Sequence, residues 1–302
     1  MAQGKFRNIM SASTGLNNFV DPTRLEFDFK TGVTELSQAV NVNIDNSGRP
    51  SRRLGWVEKL TTAAKCGFAS REACLFVSGT TLYRMKTDYT AVALRSDLTV
   101  GQRMKYVAVA NRIYYSNGVE KGYVYKGTNY AWEKGNFTVT GDTHRVFSEP
   151  PNGHLIGWFA TRMLIAVDNG LFASEPSFYG VFDLHNNFKM VPDRVTMLQH
   201  TPQGLWVGTD SQVMFYRGTK WREIRREPKA DYGVIDGSDV VCQGEKLGAP
   251  GRPIMFTTPK GICVGREDGT LENISYNKLT FPAGRYASAT IAGDRYIVLI
   301  DP

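Results

Sequence analysis

The chain has no apolar run long enough to cross a membrane. Its best candidate, HLIGWFATRMLIAV from His154, is short and is interrupted by Arg162. The first residues, MAQGKFRNIMSASTG, have no continuous apolar core of the kind a secretory signal needs, so neither membrane insertion nor signal-peptide export is expected. Cysteine is scarce. Cys66, Cys74, Cys242 and Cys263 form no CxxC pair and no conventional metal spacing, and they read as small core residues of a protein made in a reducing cytoplasm. Histidine is equally sparse: His144, His154, His185 and His200 share no spacing that suggests a ligand set or a triad.

Catalytic signatures are missing too. The sequence contains no GxSxG elbow, HExxH, GxxxxGK[ST] or GxGxxG after a strand, and no Asp-box, WD or kelch phrase. No enzymatic activity, cofactor or metal is therefore expected. The segment Asn43-Ile44-Asp45-Asn46-Ser47-Gly48 opens like a calcium loop, but the position that should carry the closing glutamate is Leu54, so a hairpin turn is the better reading. Acids such as Glu175, Asp183, Asp193 and Asp210 are scattered and read as turn or surface residues. A strong charge of one sign is also absent. Thirty-six Lys and Arg against 29 Asp and Glu leave +7 over 302 residues, an ordinary soluble surface rather than a continuous polyanion track. Local concentrations occur at Arg49, Arg52 and Arg53 and at Lys220, Arg222, Arg225 and Arg226, the latter interleaved with Glu223 and Glu227.

What the chain does have is one phrase repeated with loose spelling. It appears as VNIDNSGRPSRR from Val42, LFVSGTTLYRMK from Leu75, IYYSNGVEKGYVY from Ile113, LIAVDNGLFASE from Leu164, LWVGTDSQVMFYRG from Leu205 and ICVGREDGTLENIS from Ile262. Each copy is an apolar or aromatic run, a turn of Gly, Asn, Asp or Ser, and a second alternating run, which is how a tight β-hairpin reads. A further strand precedes most copies and another follows several, so the repeating unit has three or four antiparallel strands. Such units at intervals of a few tens of residues predict an all-β fold, a β-propeller. Six blades are favoured, over 64–98, 104–134, 154–191, 195–228, 238–280, and a last one shared between 286–302 and 38–60; five or seven remain open. Sharing one blade between the two ends would leave no sheet edge unpaired. Residues 1–37 read as an extended arm outside the single propeller domain, 38–302. Two segments rich in Gly and Pro, 135–153 and 228–252, read as loops projecting from one face. Trp158, Trp206, Trp221, Tyr114, Tyr115 and Phe172 fall in or beside strand patterns and are expected to pack between blades.

The phrases GLNNFVDPTRLEF at 15–27 and TELSQAVNVNIDNSGRPSRRLGW at 34–56 carry a resemblance of another kind. Over about residues 15–56 the chain resembles the opening of the propeller proteins of short-tailed bacteriophage tails, known as tail nozzle, tail tubular protein B or packaged-DNA stabilisation protein. Beyond that stretch the likeness is one of architecture. The resemblance implies a structural virion protein, a homo-oligomeric ring, with six copies expected, at the end of the tail. Such a ring extends the DNA channel, retains the packaged genome and permits its ejection. It implies contact with adaptor and other tail proteins, with a fibre or needle, and transient, non-specific contact with double-stranded DNA in the lumen. Larger members carry additional domains, which leaves a minimal nozzle, or another tail hub or head-completion protein, as the expectation. Arg49, Arg52, Arg53, Lys220, Arg222, Arg225 and Arg226 are the candidate interface or DNA-facing residues. Two other classes compete. A monomeric propeller binding glycan or peptide would need repeated aromatic pockets, and a propeller glycan hydrolase would need carboxylates converging on the central mouth.

Overall fold

The computed structural model describes residues 12–28, 32–45, 47–55, 57–138, 145–247, 251–293 and 295–301. Its regular structure is almost wholly β. At the N-terminal end, β1 (Ala12–Leu16), β2 (Phe27–Asp28) and β3 (Val33–Leu36) form a small sheet in which β1 and β3 run parallel. β4 (Val42–Ile44) and β5 (Pro50–Arg52) form a separate hairpin.

Five blades follow, and their boundaries match the repeat read from the sequence. Blade 1 is β6 (Lys65–Ala69), β7 (Cys74–Ser78), β8 (Thr81–Met85) and β9 (Ala91–Arg95); blade 2 is β10 (Lys105–Val109), β11 (Arg112–Ser116), β12 (Lys121–Tyr125) and β13 (Thr128–Tyr130). Blade 3 is β14 (Leu155–Phe159), β15 (Arg162–Val167), β16 (Gly170–Glu175) and β17 (Phe178–Phe182), with β18 (Phe188–Met190) also on β16. Blade 4 is β19 (Val195–Thr201), β20 (Gly204–Thr209), β21 (Val213–Arg217) and β22 (Arg225–Ala230); blade 5 is β23 (Val240–Val241), β24 (Ile254–Thr258), β25 (Gly261–Gly265) and β26 (Leu271–Asn273). Last come β27 (Ala287–Ala292) and β28 (Arg295–Ile300), paired only with each other among the described residues. In each full blade, strands pair antiparallel in chain order, the up-and-down arrangement of a β-propeller.

The two-residue side-chain period explains how blades stack. On β20, Leu205 and Val207 join a buried cluster with Leu164, Ala166 and Leu171 of blade 3, while Trp206 between them faces Ile254, Phe256 and Cys263 of blade 5. On β11, Ile113 and Tyr115 meet Leu75 and Leu82 of blade 1, while Tyr114 meets Ile156 and Met163 of blade 3. Clusters of this kind lie between each successive pair of blades, ending with Cys242, Met255 and Val264 of blade 5 against Ile291 and Tyr296. Tyr114, Tyr115, Trp206 and Trp221 are buried in these clusters, as the strand patterns predict, while Trp158 and Phe172 are half-buried.

Three expectations need correction. Among the described residues, the strands of 38–60 and 286–302 are not paired into one blade: β4–β5 and β27–β28 are separate two-stranded sheets. Within 1–37, residues 12–36 do not form a bare arm but contain the β1–β3–β2 sheet. It is fastened to the chain after blade 5 by Asn18, whose N–H and Nδ2 donate to Lys278 O and Thr280 O (2.9 and 3.0 Å) and whose Oδ1 accepts Thr280 N–H at 2.8 Å. Residues 1–11 of that arm lie outside the described residues. The 135–153 loop is anchored rather than projecting, because Arg145 reaches into blade 3 and bonds both Glu175 and Asp183, carboxylates that are 7% and 0% exposed. Asp183 is pulled two ways: burial raises its pKa, but the bonds from Arg145 and Asn186 outweigh it and hold the carboxyl below its ordinary value. Asn187 Nδ2 adds a 2.6 Å bond to Glu175. Removing the cation strands two buried acids, so Arg145→Ala is expected to cost about 3–5 kcal/mol in urea unfolding, whereas a loss below about 1 kcal/mol would show that water replaces the guanidinium freely.

Candidate axial site

The innermost strands β10, β14, β19, β23 and β27 all begin on one face, because every blade is built in the same order. The residues at or just before those starts are therefore delivered to one mouth of the axis. There Lys105 Nζ donates to Asp236 Oδ1 at 2.5 Å and Arg194 NH1 to Asp236 Oδ2 at 3.4 Å, joining blades 2, 4 and 5 through one carboxylate. Arg103, in the link between blades 1 and 2, bonds the Ala287 carbonyl and pairs with Asp301 at 3.2 Å. His154 shares a 2.7 Å hydrogen bond with the Val195 carbonyl, linking blades 3 and 4. Gln199 Nε2 donates to Asp239 at 2.7 Å.

The electrostatics follow from these contacts. Burial opposes ionisation of Asp236, but Lys105 and then Arg194 outweigh it and hold the carboxyl below its ordinary value. Asp239 is pushed up by burial, against the pull of Lys105 and the bond from Gln199. Burial also lowers His154 and His200, favouring their neutral forms. Beside Asp236 lies a cleft of about 230 Å³, lined among others by Arg194, Asp210, Asp236, Arg285 and Tyr286. Asp210, on its exposed rim, is raised by partial burial and by Asp193 and Asp236, with Arg194 opposing.

Backbone geometry fixes the mouth as well. The segment after β22, expected to project as a loop, instead crosses it: Asp236 bridges to Tyr286, and Ala287 N–H donates to Asp236 O at 2.8 Å. Gly237 sits at φ +83, where a Cβ would press on the Ala287 carbonyl. Gly237→Ala is expected to destabilise by about 1–3 kcal/mol, read as a fall in thermal midpoint, and an unchanged midpoint would mean this crossing is not held as described.

The candidate basic residues are elsewhere, and they are not brought together. Arg49, Arg52 and Arg53 are exposed on the β4–β5 hairpin, with Arg53 Nε bonded to Asn43 at 3.3 Å. Lys220 pairs with Glu223 at 3.1 Å, and Arg222 reaches Asn187 at 3.4 Å beside the blade 3 acids. Glu227 is taken by Arg217 and Lys229, leaving Arg225 and Arg226 exposed on the outermost strand of blade 4 and in no ion pair among the described residues. The 43–48 segment is a hairpin turn, with Asp45 Oδ1 accepting Ser47 and Arg49 N–H at 2.8 and 2.9 Å; Asn46 lies outside the described residues. His144 also lies outside them, and His154, His185 and His200 form no triad. Among the described residues no group of three His, Cys, Asp or Glu could hold a metal, and no helix is long and apolar enough to cross a membrane. All four cysteines are free, Cys242 and Cys263 being buried.

Sequence reasoning missed the axial cluster. A partial signal was present: Lys105, His154 and Arg194 each stand at or next to the start of the first strand of a repeat, whereas Asp236 lies four positions ahead of β23 and is out of that register.

Neither a protein-family model nor a curated protein matches the chain. Among solved structures, it is similar to the extracellular domain of a one-component system from B. thetaiotaomicron, with 14% identity over 75% of this chain and a TM-score of 0.46; it spans only 29% of that chain's length. It is also similar to a gluconolactonase from Xanthomonas campestris, with 12% identity, 80% of this chain and 84% of the other covered, and a TM-score of 0.46. The Neurospora crassa Pan2 WD40 domain is a third, with 8% identity, 75% and 68% covered, and a TM-score of 0.42. The propeller assignment stands on strand order and pairing and takes nothing from these distant likenesses.

Proposed function

We propose that the protein is a structural component of a bacteriophage tail, a nozzle ring of about six copies that extends the DNA channel, retains the packaged genome and permits its release. The observation that carries the reading is the segment with the nozzle resemblance. Its hairpin stands apart from every blade, presents Arg49, Arg52 and Arg53 to solvent, and is flanked by Val40, Leu54 and Val57 at 72, 86 and 75% exposure. Apolar residues so exposed beside basic ones suit contact with another chain better than a solitary surface. The axis of a single propeller is a poor duct under this reading, because Lys105, Arg194 and Asp236 meet in direct contact at its mouth. The lumen then lies between copies, where dispersed arginines meet phosphates without gripping a genome that must pass. Electron microscopy of the purified protein, alone and with virions, tests this. Six-fold rings at the tail tip are the expected result; a persistent monomer absent from every particle would overturn it.

One observation favours a second reading, a propeller hydrolase. The axial cleft holds one acid raised, Asp210, near one lowered, Asp236, the divergence an acid–base pair needs. Turnover of polysaccharide or lactone that disappears in Asp210→Asn, with folding intact, would establish it. No turnover by the parent protein on either substrate class would remove it.

A further inference from the structure

β28 is the second strand of its sheet, and its sequence, RYIVLI, carries as long an apolar run as RMLIAV of β15. The equivalent strands β15, β20 and β25 are almost wholly buried. In β28, by contrast, no residue is fully buried, and Leu299 is 71% exposed. The cause is local. Each of the five blades sets at least two more strands beyond its first pair, whereas among the described residues none pairs with β28 except β27. Nor, among them, does a buried cluster join β27–β28 to blade 1, although such clusters join every other successive pair. The missing half of a blade is two strands, and the described residues hold one unassigned two-stranded unit, β4–β5.

The chain's own hairpin is engaged elsewhere. Ser13 N–H donates to Gly48 O at 2.6 Å, tying the hairpin to β1, and the β1–β3–β2 sheet is in turn fastened at 278–280 by Asn18. Residues 53–64 then lead to blade 1, a tether able to reach about 40 Å when extended. We propose that the edge of β28 that pairs with no other described strand receives the β4–β5 hairpin of a second copy, so that each propeller completes the last blade of the next. Such a contact is head-to-tail, and it generates a ring when the rotation closes. Backbone pairing supplies the adhesion, while Val40, Leu54 and Val57 cover Leu299 and its neighbours. The inference rests on the homo-oligomer of the proposed function but not on the tail.

The test uses the full chain. An isotope-labelled preparation of Leu299→Cys is mixed with an unlabelled preparation of Ser51→Cys, oxidised and examined by peptide mass spectrometry, with each variant oxidised alone as the control for the native thiols. The expected result is a mixed-isotope peptide linking positions 51 and 299. Leu299→Lys, with an unchanged far-ultraviolet spectrum, is expected to shift the light-scattering mass from a multiple of 33.7 kDa to 33.7 kDa. A link formed only within one chain in the Ser51→Cys/Leu299→Cys double variant would overturn the proposal, as would multimers that survive Leu299→Lys or a protein that is monomeric at every concentration. Mixed-isotope links in a protein absent from virions would keep the strand exchange and remove the tail reading; six-fold tail rings without the link would do the reverse.

Discussion

Replacing Asp236 by alanine is expected to destabilise the protein by about 3–5 kcal/mol, since Lys105 and Arg194 would then face each other across the axis without their shared counter-ion. The measurement is a urea titration with tryptophan fluorescence at neutral pH. The sign of the pH dependence follows from the same contacts. The folded-state pKa of Asp236 is depressed, so its contribution is fully present above the unfolded value of about 4 and is withdrawn as pH falls through the lower folded value. Parent and Asp236→Ala should therefore differ most at neutral pH and converge in acid. A gap that stays constant down to pH 2 would mean the carboxylate contributes through shape rather than charge.

The second large effect is expected at Trp206. The indole is fully buried between blades 4 and 5, with its ring 5.0 Å from that of Phe215 and Nε1–H donating to Arg266 O at 3.0 Å. It fits because residue 265 has no side chain: a Cβ there would lie 2.8 Å from the indole Cε2. Trp206→Ala opens a cavity the two sheets cannot close, at a cost of about 3–5 kcal/mol. Trp206→Phe keeps most of the area and loses the hydrogen bond, and should cost less than half as much. Gly265→Val should approach the alanine variant by forcing the sheets apart. Equal losses for alanine and phenylalanine in chemical unfolding would show that the Arg266 bond, not the packing, holds this interface.

Much of this was legible in the sequence because blade formation is a short-range affair. A run such as LIAVDNGLFASE states both strands and the turn within a dozen residues, and alternation assigns Trp206 and its neighbours to opposite faces. Less legible were turns that break the usual chemistry. Ala160–Thr161 connects β14 and β15 with φ of +51 and +60, although neither residue advertises that conformation. The last blade failed for a different reason: the hairpins at the two ends read as halves of one blade, but a hairpin's own residues do not specify which strand edge it joins, and the two are separate sheets. The axial cluster was hidden by distance along the chain. Lys105 and Asp236 are 131 positions apart, and only the ring order makes them neighbours. The exposed bases were visible as residues, and Glu223 beside Lys220 with them, while the Asn187 side chain that accepts a hydrogen bond from Arg222 depends on the fold.

The Asn18 clasp also sets an order in time. Its partners Lys278 and Thr280 lie 260 and 262 residues further on, so they leave the ribosome long after Asn18 does. The β1–β3–β2 sheet is thus made well before the residues that fasten it. Until then the blades, whose pairings are local, are free to form one after another. A nascent chain stalled before residue 278 should leave Asn18 open to solvent, and its release should close the clasp, a birth certificate written in a single side chain.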